Sequence, residues 1–406
     1  MRVLVLSQYF WPENFRINDV VKSLSRKIEG VSVLTGKPNY PQGKVFDGYR
    51  VWGTSEEVFE GVNVLRVPLI PRGRSGVRLA LNYLSFIFSA MIFAPWALRK
   101  RKFDVIFVYA PSPILQALPA IFLGFLKRTP VVLWVQDLWP ASLSATGHVK
   151  NKHVLKLVEG VVRYIYRHVD LLLVQSEAFV EPVEAIASGT PVVYFPNSVD
   201  DSFSGSPRSA APNIAGMDAP FPILFAGNIG TAQAVDVIVE AAALLQDFPD
   251  IQFVMVGDGS RREWMVESAR ARGLENLHLP GRFPVETMPG LMKKSAALLV
   301  TLADEEIFRQ TIPSKIQAYL AAGRPILACL NGEGARLVNV AGAGLAVPAG
   351  DAVALAKMAL RLYRISAQER AVMGLSGAAY FARHFSHEML IDRLVEILES
   401  CIKLRK

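Results

Sequence analysis

The sequence predicts an α/β protein made of two doubly wound domains, and three observations lead to this fold class. Short runs of Val, Leu and Ile alternate with stretches of helical period. The alternation occurs twice along the chain, and a stretch rich in Ser, Pro, Ala and Gly separates the two occurrences. A length of 406 residues is enough for two or three domains.

Seven apolar runs in the first half predict strands. They are nearly continuous rather than alternating with polar residues, which is typical of parallel strands that are buried on both faces. The runs are Val3–Leu6, Val31–Leu34, Val62–Val67, Val105–Tyr109, Val131–Val135, Leu171–Val174 and Val192–Phe195. Helical patterns lie between them, the clearest being Asn18–Ile28 and Val154–Arg167.

The second half repeats this arrangement. Its predicted strands are Ile223–Ala226, Phe253–Val256, His278–Leu279, Leu298–Thr301, Ile326–Ala328 and Leu345–Val347. Its predicted helices are Ala234–Gln246, Arg261–Arg272, Ser314–Ala322 and Ala352–Arg364.

A region without apolar periodicity, Ser198–Pro222, divides the two halves. We therefore predict a Rossmann-like domain over residues 1–200, a linker over 201–222, a second Rossmann-like domain over 223–385, and a final helix over 386–406 that packs back on the first domain. Doubly wound sheets bind ligands at the carboxyl ends of their strands. We expect the ligands in a cleft that the two domains face.

Composition excludes several classes of protein. With 51% hydrophobic and 20% charged residues the chain is not of the disordered type. Its two cysteines, Cys329 and Cys401, exclude a disulfide scaffold and a Cys-rich zinc module. Met1 leads directly into a strand pattern without the features of a signal peptide, so we expect a cytoplasmic protein.

The positive charge is concentrated in one segment. Between Gly61 and Phe103 there is no Asp or Glu, and the segment holds eight of the 44 basic residues, which equals the net charge of +8. Such clustering predicts a local anionic partner rather than a diffusely basic surface. Nucleic acid is not expected, because no strand motif with aromatic and basic residues accompanies the charges.

Within this segment, residues 79–98 are uncharged and long enough to span a membrane. Three interpretations are open: a transmembrane helix, a helix in the membrane interface, and a core helix of the first domain. Basic residues on both sides favour the interface, because they attract anionic lipid headgroups. We therefore predict a membrane-associating segment over 72–102, with contacts from Leu84, Phe88, Ile92, Arg99, Lys100 and Arg101.

Three short blocks of the second half have residues suited to phosphate. Phe225–Gly230 and Val256–Gly259 are glycine turns between a strand and a helix, where backbone amides can approach an anion. In Ile312–Ile326, Pro313 and Ser314 suit a helix start and Lys315 adds a positive charge. Each block also has a plain interpretation, as an ordinary turn or as a capped helix with a solvated lysine.

The order of these blocks resembles a GT-B glycosyltransferase of the large retaining family 4, which includes sucrose-synthase-like and O-antigen enzymes. The resemblance covers essentially the whole chain. The segments FAGNIGTAQ, IPSKIQAYLAAGRPI and VQDLWP are similar to the bacterial surface-polysaccharide branch, especially N-acetyl-L-fucosaminyltransferases of O-antigen or capsule assembly. The resemblance implies a UDP-sugar donor on the second domain. It also implies an acceptor saccharide on a polyprenyl diphosphate, at the inner face of the cytoplasmic membrane, in lipopolysaccharide or capsule synthesis.

The resemblance also implies roles for individual residues. The expected donor contacts are Gly227, Asn228, Gln233, Gly257, Arg282, Phe283, Glu306, Pro313, Ser314, Lys315 and Gln317. Arg282 and Phe283 lie where the family binds the nucleobase, and Glu306 lies near its sugar-contacting acidic region. Gln317 replaces the usual carboxylate as the expected partner of the ribose.

The sequence departs from the family pattern at charged positions. Asn228 and Gln233 stand where the family has Arg and Lys, while Gln310 and Ala318 stand where it has a pair of Glu. The departures leave Lys315, together with Arg16, Arg282 or Arg309, to stabilise the leaving diphosphate. No Asp-x-Asp motif occurs in the chain, so we expect transfer without a metal ion or another cofactor.

The acceptor is expected on the first domain. Tyr9, Trp11, Asn14 and Arg16 follow the first strand and suit sugar and phosphate recognition, and Gln136 occupies the place of the family histidine. Glu13 is a candidate base for the acceptor hydroxyl. Asp137 either orients a sugar or caps the next helix.

Two rival functions remain at this stage. A nucleotide-sugar 2-epimerase has the same two-domain scaffold, but it needs neither an acceptor nor a membrane contact. A non-catalytic protein that binds nucleotide sugars at the membrane would account for the missing pair of Glu. Glycosyl transfer accounts best for the donor blocks and the basic apolar segment together.

Overall fold

The computed structural model describes residues 1–73, 75–145, 151–199, 203 and 211–405, and they form two compact α/β units. Unit 1 comprises Met1–Pro196 together with Leu390–Lys406, and unit 2 comprises Asn197–Met389. The boundary falls shortly before the predicted domain end at residue 200. Much of the predicted linker 201–222, and Arg74 of the basic segment, lie outside the described residues.

Unit 1 contains a sheet in which the described residues form eight strands, in the order β3-β4-β2-β1-β5-β6-β7-β8. The strands are β1 (Arg2–Leu6), β2 (Gly30–Gly36), β3 (Ser55–Phe59), β4 (Val62–Val67), β5 (Val105–Ala110), β6 (Val131–Val135), β7 (Leu171–Val174) and β8 (Val192–Tyr194). All neighbours pair in parallel except β3 and β4. The predicted strands are confirmed, and β3 is an additional edge strand.

The helices described in unit 1 include both predicted helices, the first of which ends at Leu24 rather than at Ile28, and several unpredicted ones. They are α1 (Ile17–Leu24), α2 (Gly76–Ala97), α3 (Ala117–Lys127), α4 (Ala141–Ala145), α5 (Lys152–Arg167) and α6 (Val180–Ala187). Helix α2 packs on α3, and α3 packs on α5. Phe86, Leu123 and Ile165 of these three helices are fully buried in one apolar cluster with the strands.

Unit 2 contains a parallel sheet in which the described residues form six strands, in the order β11-β10-β9-β12-β13-β14. The strands are β9 (Phe221–Ala226), β10 (Ile251–Val256), β11 (Leu277–Gly281), β12 (Ala297–Thr301), β13 (Ile326–Cys329) and β14 (Gly344–Val347). Two apolar clusters, one containing Leu224 and the other Ile223, bury alternate residues of the same strand. The sheet is therefore covered on both faces, as its continuous apolar runs predict.

The remaining helices follow in chain order. They are α7 (Asp236–Leu244), α8 (Arg262–Ala271), α9 (Met288–Lys294), α10 (Glu306–Arg309), α11 (Ser314–Ala322), α12 (Glu333–Val340), α13 (Ala352–Arg364), α14 (Ala367–His384) and α15 (His387–Leu404). Most of α15 belongs to unit 1, where Asp392 pairs with Lys27, and Arg405, just beyond the helix, pairs with Asp170 at 3.0 Å.

The topology gives each unit one edge that is suited to ligands. In a parallel sheet every strand ends at the same edge, and the loops that follow the strands gather there. In unit 1 this edge carries the loops after β1, β5 and β6. In unit 2 it carries the loops after β9, β10 and β11, followed by the start of α11.

Candidate functional site

Three glycine turns pack against one another at the carboxyl edge of the unit 2 sheet. The Gly227 N–H donates to the Val256 carbonyl at 2.8 Å, and the Gly257 N–H donates to the Gly281 carbonyl at 2.9 Å. Gly257 has φ +147°, and a Cβ there would lie 1.8 Å from the Gly227 carbonyl oxygen. A side chain at position 257 is therefore excluded, which leaves a surface of backbone at this edge.

The Lys315 side chain lies against this backbone surface. Its Nζ is 3.5 Å from the centre of the Phe225 ring, and a Cβ on Gly227 would lie only 2.5 Å from the Lys315 Cε. The Ala226 N–H donates to the Tyr319 hydroxyl at 3.0 Å, which fixes α11 to the end of β9. Burial lowers the pKa of Lys315 to about 7, because the charged amine has lost much of its hydration.

The first glycine turn is held by neutral amides. The Gln233 Oε1 accepts hydrogen bonds from the Gly230 N–H and from the Asn228 Nδ2, both at 3.1 Å. Asn228 and Gln233 therefore lie together at the predicted turn and support its shape. Because both are neutral, they add no positive charge to it.

The two predicted arginine cations of unit 2 already have carboxylate partners. Arg282 is exposed and its Nε lies 3.3 Å from Asp258, while Arg309 makes two hydrogen bonds to Asp304, at 2.9 and 3.0 Å. Among the residues that the structure describes, the Lys315 amine lies against the Phe225 ring. Lys315 is accordingly the best placed of these three residues to meet an anion.

The other predicted donor residues are spread along the same edge. Phe283 is half-buried and packs at the border of the apolar cluster, next to exposed Arg282. Glu306 is exposed at the start of α10, 3.8 Å from Arg309. Helix α11 begins at Ser314, which is exposed, and Pro313 precedes it as the cap residue.

The predicted ribose contact of Gln317 is not supported by the structure. Its side chain is buried, and its Nε2 donates to the Asn197 carbonyl at 2.8 Å. The amide therefore satisfies a main-chain group inside unit 2 rather than facing a ligand.

A second cluster of polar side chains lies at the carboxyl edge of the unit 1 sheet. Asp137 follows β6, and burial raises its pKa to about 6. The carboxylate acts electrostatically on the phenols of Tyr83 and Tyr109, and Arg16 also acts on Tyr109. The next helix, α4, does not begin until Ala141, so the position of Asp137 favours a role in this cluster over a role as its cap.

Arg72 completes the cluster from the basic segment. Its guanidinium lies 5.2 Å from the centre of the Tyr40 ring and acts electrostatically on the Tyr9 phenol, where it opposes the rise in pKa caused by burial. Arg16 is half-buried, and burial lowers its pKa. Arg16, Arg72, several phenols and Asp137 thus gather at this edge of the sheet. The sequence predicted mainly the loop after β1 for the acceptor.

Two residues of that loop have structural contacts instead of the predicted ligand contacts. The Glu13 carboxylate accepts backbone N–H groups from Phe10 at 3.2 Å and from Asn39 and Tyr40 at 2.7 Å each. These bonds hold two loops together and occupy both oxygens, so the structure does not support Glu13 as a base. Tyr9 is 2% exposed, so its face is not open to a sugar; it stacks on Phe15 at 5.1 Å.

The remaining predicted acceptor residues differ in exposure. Trp11 is 38% exposed and packs on Phe59, and Asn14 is exposed in the same loop. Gln136 is buried, its carbonyl accepts a hydrogen bond from Gln175 at 2.6 Å, and its side-chain nitrogen has no partner among the described residues.

Sequence reasoning did not identify Arg72, Tyr83 or Tyr319 as site residues. The sequence does contain a pattern that indicates this cluster, because polar Asn82 and Tyr83 interrupt the otherwise apolar helix α2. Asn82 is fully buried, accepts a hydrogen bond from Gln8 at 2.8 Å and donates to the Ile70 carbonyl at 2.7 Å. This polar pair marks the side of α2 that faces the cluster.

The opposite side of α2 is an exposed apolar stripe. The stripe consists of Val77, Leu81, Leu84, Phe88, Ile92 and Trp96, which recur every three or four residues. Arg99 lies 4.5 Å from the centre of the Trp96 ring, Lys100 is exposed, and Arg101 pairs with Glu56 at 2.9 Å. The predicted membrane residues Leu84, Phe88 and Ile92 are therefore on one surface.

By length and composition α2 could cross a membrane, but its contacts place it in the fold of unit 1. A third of its most apolar window is buried, including Phe86 and Ala90. The preceding strand β4 and the following strand β5 belong to the same sheet. A single crossing would put these strands on opposite sides of the bilayer, so the transmembrane interpretation is incompatible with this sheet.

Comparisons with known proteins identify a family for each half of the chain. Residues 14–198 match the family "Glycosyl transferase 4-like domain", and residues 220–364 match "Glycosyl transferases group 1". Over 348 residues the chain is 28% identical to WcaI of Escherichia coli K12, whose name describes a glycosyl transferase of colanic acid biosynthesis; the alignment covers 80% of this chain and 82% of that protein.

Solved structures with the same fold are glycosyltransferases of GT-B type. Sucrose-phosphate synthase from Thermosynechococcus elongatus superposes with a TM-score of 0.72 at 15% identity, covering 99% of both chains. HepE from Anabaena, solved in complex with UDP-glucose, superposes with a TM-score of 0.65 at 14% identity, covering 98% of this chain and 100% of that one.

Proposed function

The chain is a glycosyltransferase that combines a 4-like domain with a group 1 domain in a GT-B fold, and we propose that it transfers a sugar from a UDP-sugar to a saccharide on a polyprenyl diphosphate. We propose N-acetyl-L-fucosamine, or a related N-acetylated hexose, as the transferred sugar. The product belongs to O-antigen or capsule polysaccharide assembly, and transfer retains the anomeric configuration. The similarity to WcaI supports a place in polysaccharide synthesis.

The observation that carries the donor assignment is the position of Lys315. Its amine lies beside a backbone surface of glycine turns, in a setting that lowers its pKa to about 7. A diphosphate at that surface would accept hydrogen bonds from backbone amides and an ion pair from Lys315. As the bond to the sugar breaks, negative charge grows on the diphosphate, and preorganised dipoles with a nearby cation stabilise it.

The proposed acceptor site is the unit 1 cluster. Arg16 and Arg72 suit the diphosphate of the acceptor, and Asp137 suits a sugar hydroxyl group. We propose that Asp137 holds the acceptor or the transferred sugar in place. In a retaining transfer with front-face attack, the departing phosphate oxygen takes the proton of the acceptor hydroxyl, so no protein nucleophile is required.

The proposed location is the inner face of the cytoplasmic membrane. Six exposed apolar side chains on α2, followed by Arg99, Lys100 and Arg101, form a surface that suits anionic lipid headgroups. Since an acceptor on a polyprenyl diphosphate is anchored in that membrane, this surface would bring the unit 1 cluster to it. Transfer without a metal ion or another cofactor is part of the proposal.

The deciding experiment is an incubation with a panel of UDP-sugars and a synthetic polyprenyl-diphosphate saccharide, with products read by mass spectrometry. We expect one added sugar on the acceptor. An altered free nucleotide sugar would instead identify an epimerase, and donor binding without any product would identify a non-catalytic binding protein.

The residue test of the proposal uses Lys315→Ala and Ser314→Ala, with Lys357→Ala as the control. Lys357 is exposed on α13, outside the glycine turns. We expect Lys315→Ala to lower kcat/KM by at least about a hundredfold, the usual loss when one transition-state donor is removed. Unchanged rates in both variants, at low and at saturating donor, would refute the donor site.

A further inference from the structure

A continuous apolar groove runs along the outside of the unit 1 sheet, between α3 and α5. It consists of two cavities of about 400 and about 430 Å³ that share Leu118 and Tyr164. Both volumes lie within the range of typical small-molecule pockets, roughly 300–1,000 Å³. The polar clusters described above do not include this groove.

The direction of the groove follows from the topology. Helix α3 begins just after the carboxyl end of β5, and α5 precedes β7, so both helices run from the carboxyl edge of the sheet to its other edge. The cavity lined by Lys156, Leu157 and Gly160 is near the carboxyl edge. The cavity lined by Phe125 and Val131 is further away. At about 1.5 Å per residue, the stretch of α5 that lines the groove, Lys156 to Tyr164, is about 12 Å long.

The charges along the groove are unevenly distributed. Lys156 lines the end near the carboxyl edge, which is the edge that carries Arg16 and Asp137. The far end is closed by Arg405 and Asp170, which pair at 3.0 Å and leave no net charge there. Apolar and aromatic side chains line most of the length between them, with Phe125 79% exposed at the rim.

We propose that this groove binds the isoprenoid chain of the lipid-linked acceptor, an inference that rests on the proposed function. An anionic diphosphate with a hydrocarbon tail matches a site that is cationic at one end and apolar along its length. Burial of the tail in the groove would be favourable by roughly 25 cal/mol per Å² of apolar surface.

The groove also reaches α2, the helix that carries the exposed stripe. Met91 of α2 lines the cavity that Phe125 lines, and α2 packs directly on α3. If the exposed stripe of α2 lies in the bilayer interface, a chain can pass from the bilayer into the groove without crossing water. The groove then places the reacting end of the acceptor at the carboxyl edge of the sheet.

The test fills the groove at Gly160. A Cβ on Gly160 would meet no atom within 4 Å, so Gly160→Phe adds a ring to open space in the groove and is compatible with α5. Val372→Phe, on the exposed side of α14, is the matched control. Rates are measured with a long-chain polyprenyl diphosphate acceptor and with a methyl diphosphate acceptor that carries the same saccharide and has no tail.

We expect Gly160→Phe to raise KM for the long-chain acceptor about tenfold, equivalent to losing the burial of about two CH₂ groups, and to leave the tail-less methyl acceptor unchanged. An equal effect on both acceptors, or no effect on either, overturns the groove assignment. If neither acceptor is used by the wild-type protein, the proposed function fails before the groove is tested.

A labelling experiment separates the groove from a general lipid site. A benzophenone-tagged isoprenyl diphosphate is photolysed with the wild-type protein, and labelled peptides are mapped. We expect labels on α3 and α5 that excess polyprenyl phosphate prevents. Labels confined to the exposed stripe of α2, or labels that phosphatidylglycerol vesicles remove equally well, contradict the proposal.

Discussion

At the scale of single residues, the structure distinguishes charged side chains that are left available to a ligand from those used in contacts that hold the protein together. Lys315 and Asp137 both have a pKa shifted by burial, to about 7 and about 6. Burial that shifts a pKa in this way lowers the stability of the folded protein, and proteins commonly retain such groups at functional sites. Glu13 is also buried with a raised pKa, but three backbone N–H groups use its carboxylate.

Lys315 should make UDP binding depend on pH. In the free protein its pKa is about 7, and a bound diphosphate raises that pKa because it favours the ammonium. Below pH 7 the residue is already charged, whereas above pH 7 binding must take up a proton. We expect Kd for UDP to rise by up to about tenfold per pH unit between pH 7 and pH 9.

The measurement is titration calorimetry in two buffers of different ionisation enthalpy, which also counts the protons taken up. Lys315→Arg is the matched variant, because its guanidinium stays charged throughout and should give a flat profile. The terminal phosphate of UDP has a second pKa of about 6, so it is mostly doubly ionised from pH 7 to pH 9 and does not obscure the result. A wild-type Kd that does not change from pH 7 to pH 9 would contradict the assignment.

Residue roles were the part of the site that sequence predicted least well. The positions of Gly227, Gly257 and Lys315 follow from strand ends and a helix start, and these residues do lie together. The partners of Glu13 and Gln317 come from Asn39 and Asn197, far away in the chain. A sequence pattern carries no information about such contacts.

At the scale of elements, strands were predictable because buried parallel strands are continuous apolar runs. The missed strand β3, Ser55–Phe59, is the antiparallel edge strand, and its residues alternate between exposed and half-buried. Helix α2 could not be placed by composition, since a core helix, an interfacial helix and a membrane span share its apolar character. Its position in the structure separates a buried face from an exposed apolar face.

The exposed stripe of α2 should anchor the protein to membranes. Replacing Leu84, Phe88 and Ile92 by Glu puts three negative charges on the surface that we propose meets anionic lipid. Because these side chains are 43%, 60% and 66% exposed, the changes should leave the core intact. We expect the triple variant to lose at least about tenfold in partitioning to phosphatidylglycerol vesicles in flotation assays.

The control for this test carries three Glu residues at exposed apolar positions elsewhere, Val340, Val353 and Leu375 of unit 2. The control should float with vesicles as the wild-type protein does, apart from a small effect of net charge. Equal flotation of the α2 variant and the wild-type protein would exclude this role for the stripe.

At the scale of the whole molecule, each unit has its own core, and unit 1 is assembled from both ends of the chain. Residues Leu390–Lys406 return to it after the chain has formed unit 2. Sequence suggested this return from the final helix alone. Its contacts with unit 1, such as Arg405 with Asp170, join positions that no local pattern relates.

Deleting residues 390–406 should therefore unfold unit 1 and spare unit 2. The deletion removes five buried side chains, namely Leu390, Ile391, Leu394, Leu398 and Cys401. At about 1.5–3 kcal/mol for each large apolar side chain, the loss is comparable to the 5–15 kcal/mol that stabilises a typical domain.

Two units with separate cores unfold in separable transitions. Calorimetry of the truncated protein should accordingly show one transition, which UDP shifts upward because its proposed site is in unit 2. Deleting only residues 403–406, whose described side chains are exposed, should keep two transitions. Two transitions in the longer truncation would mean that the N-terminal residues of unit 1 hold its core together without α15.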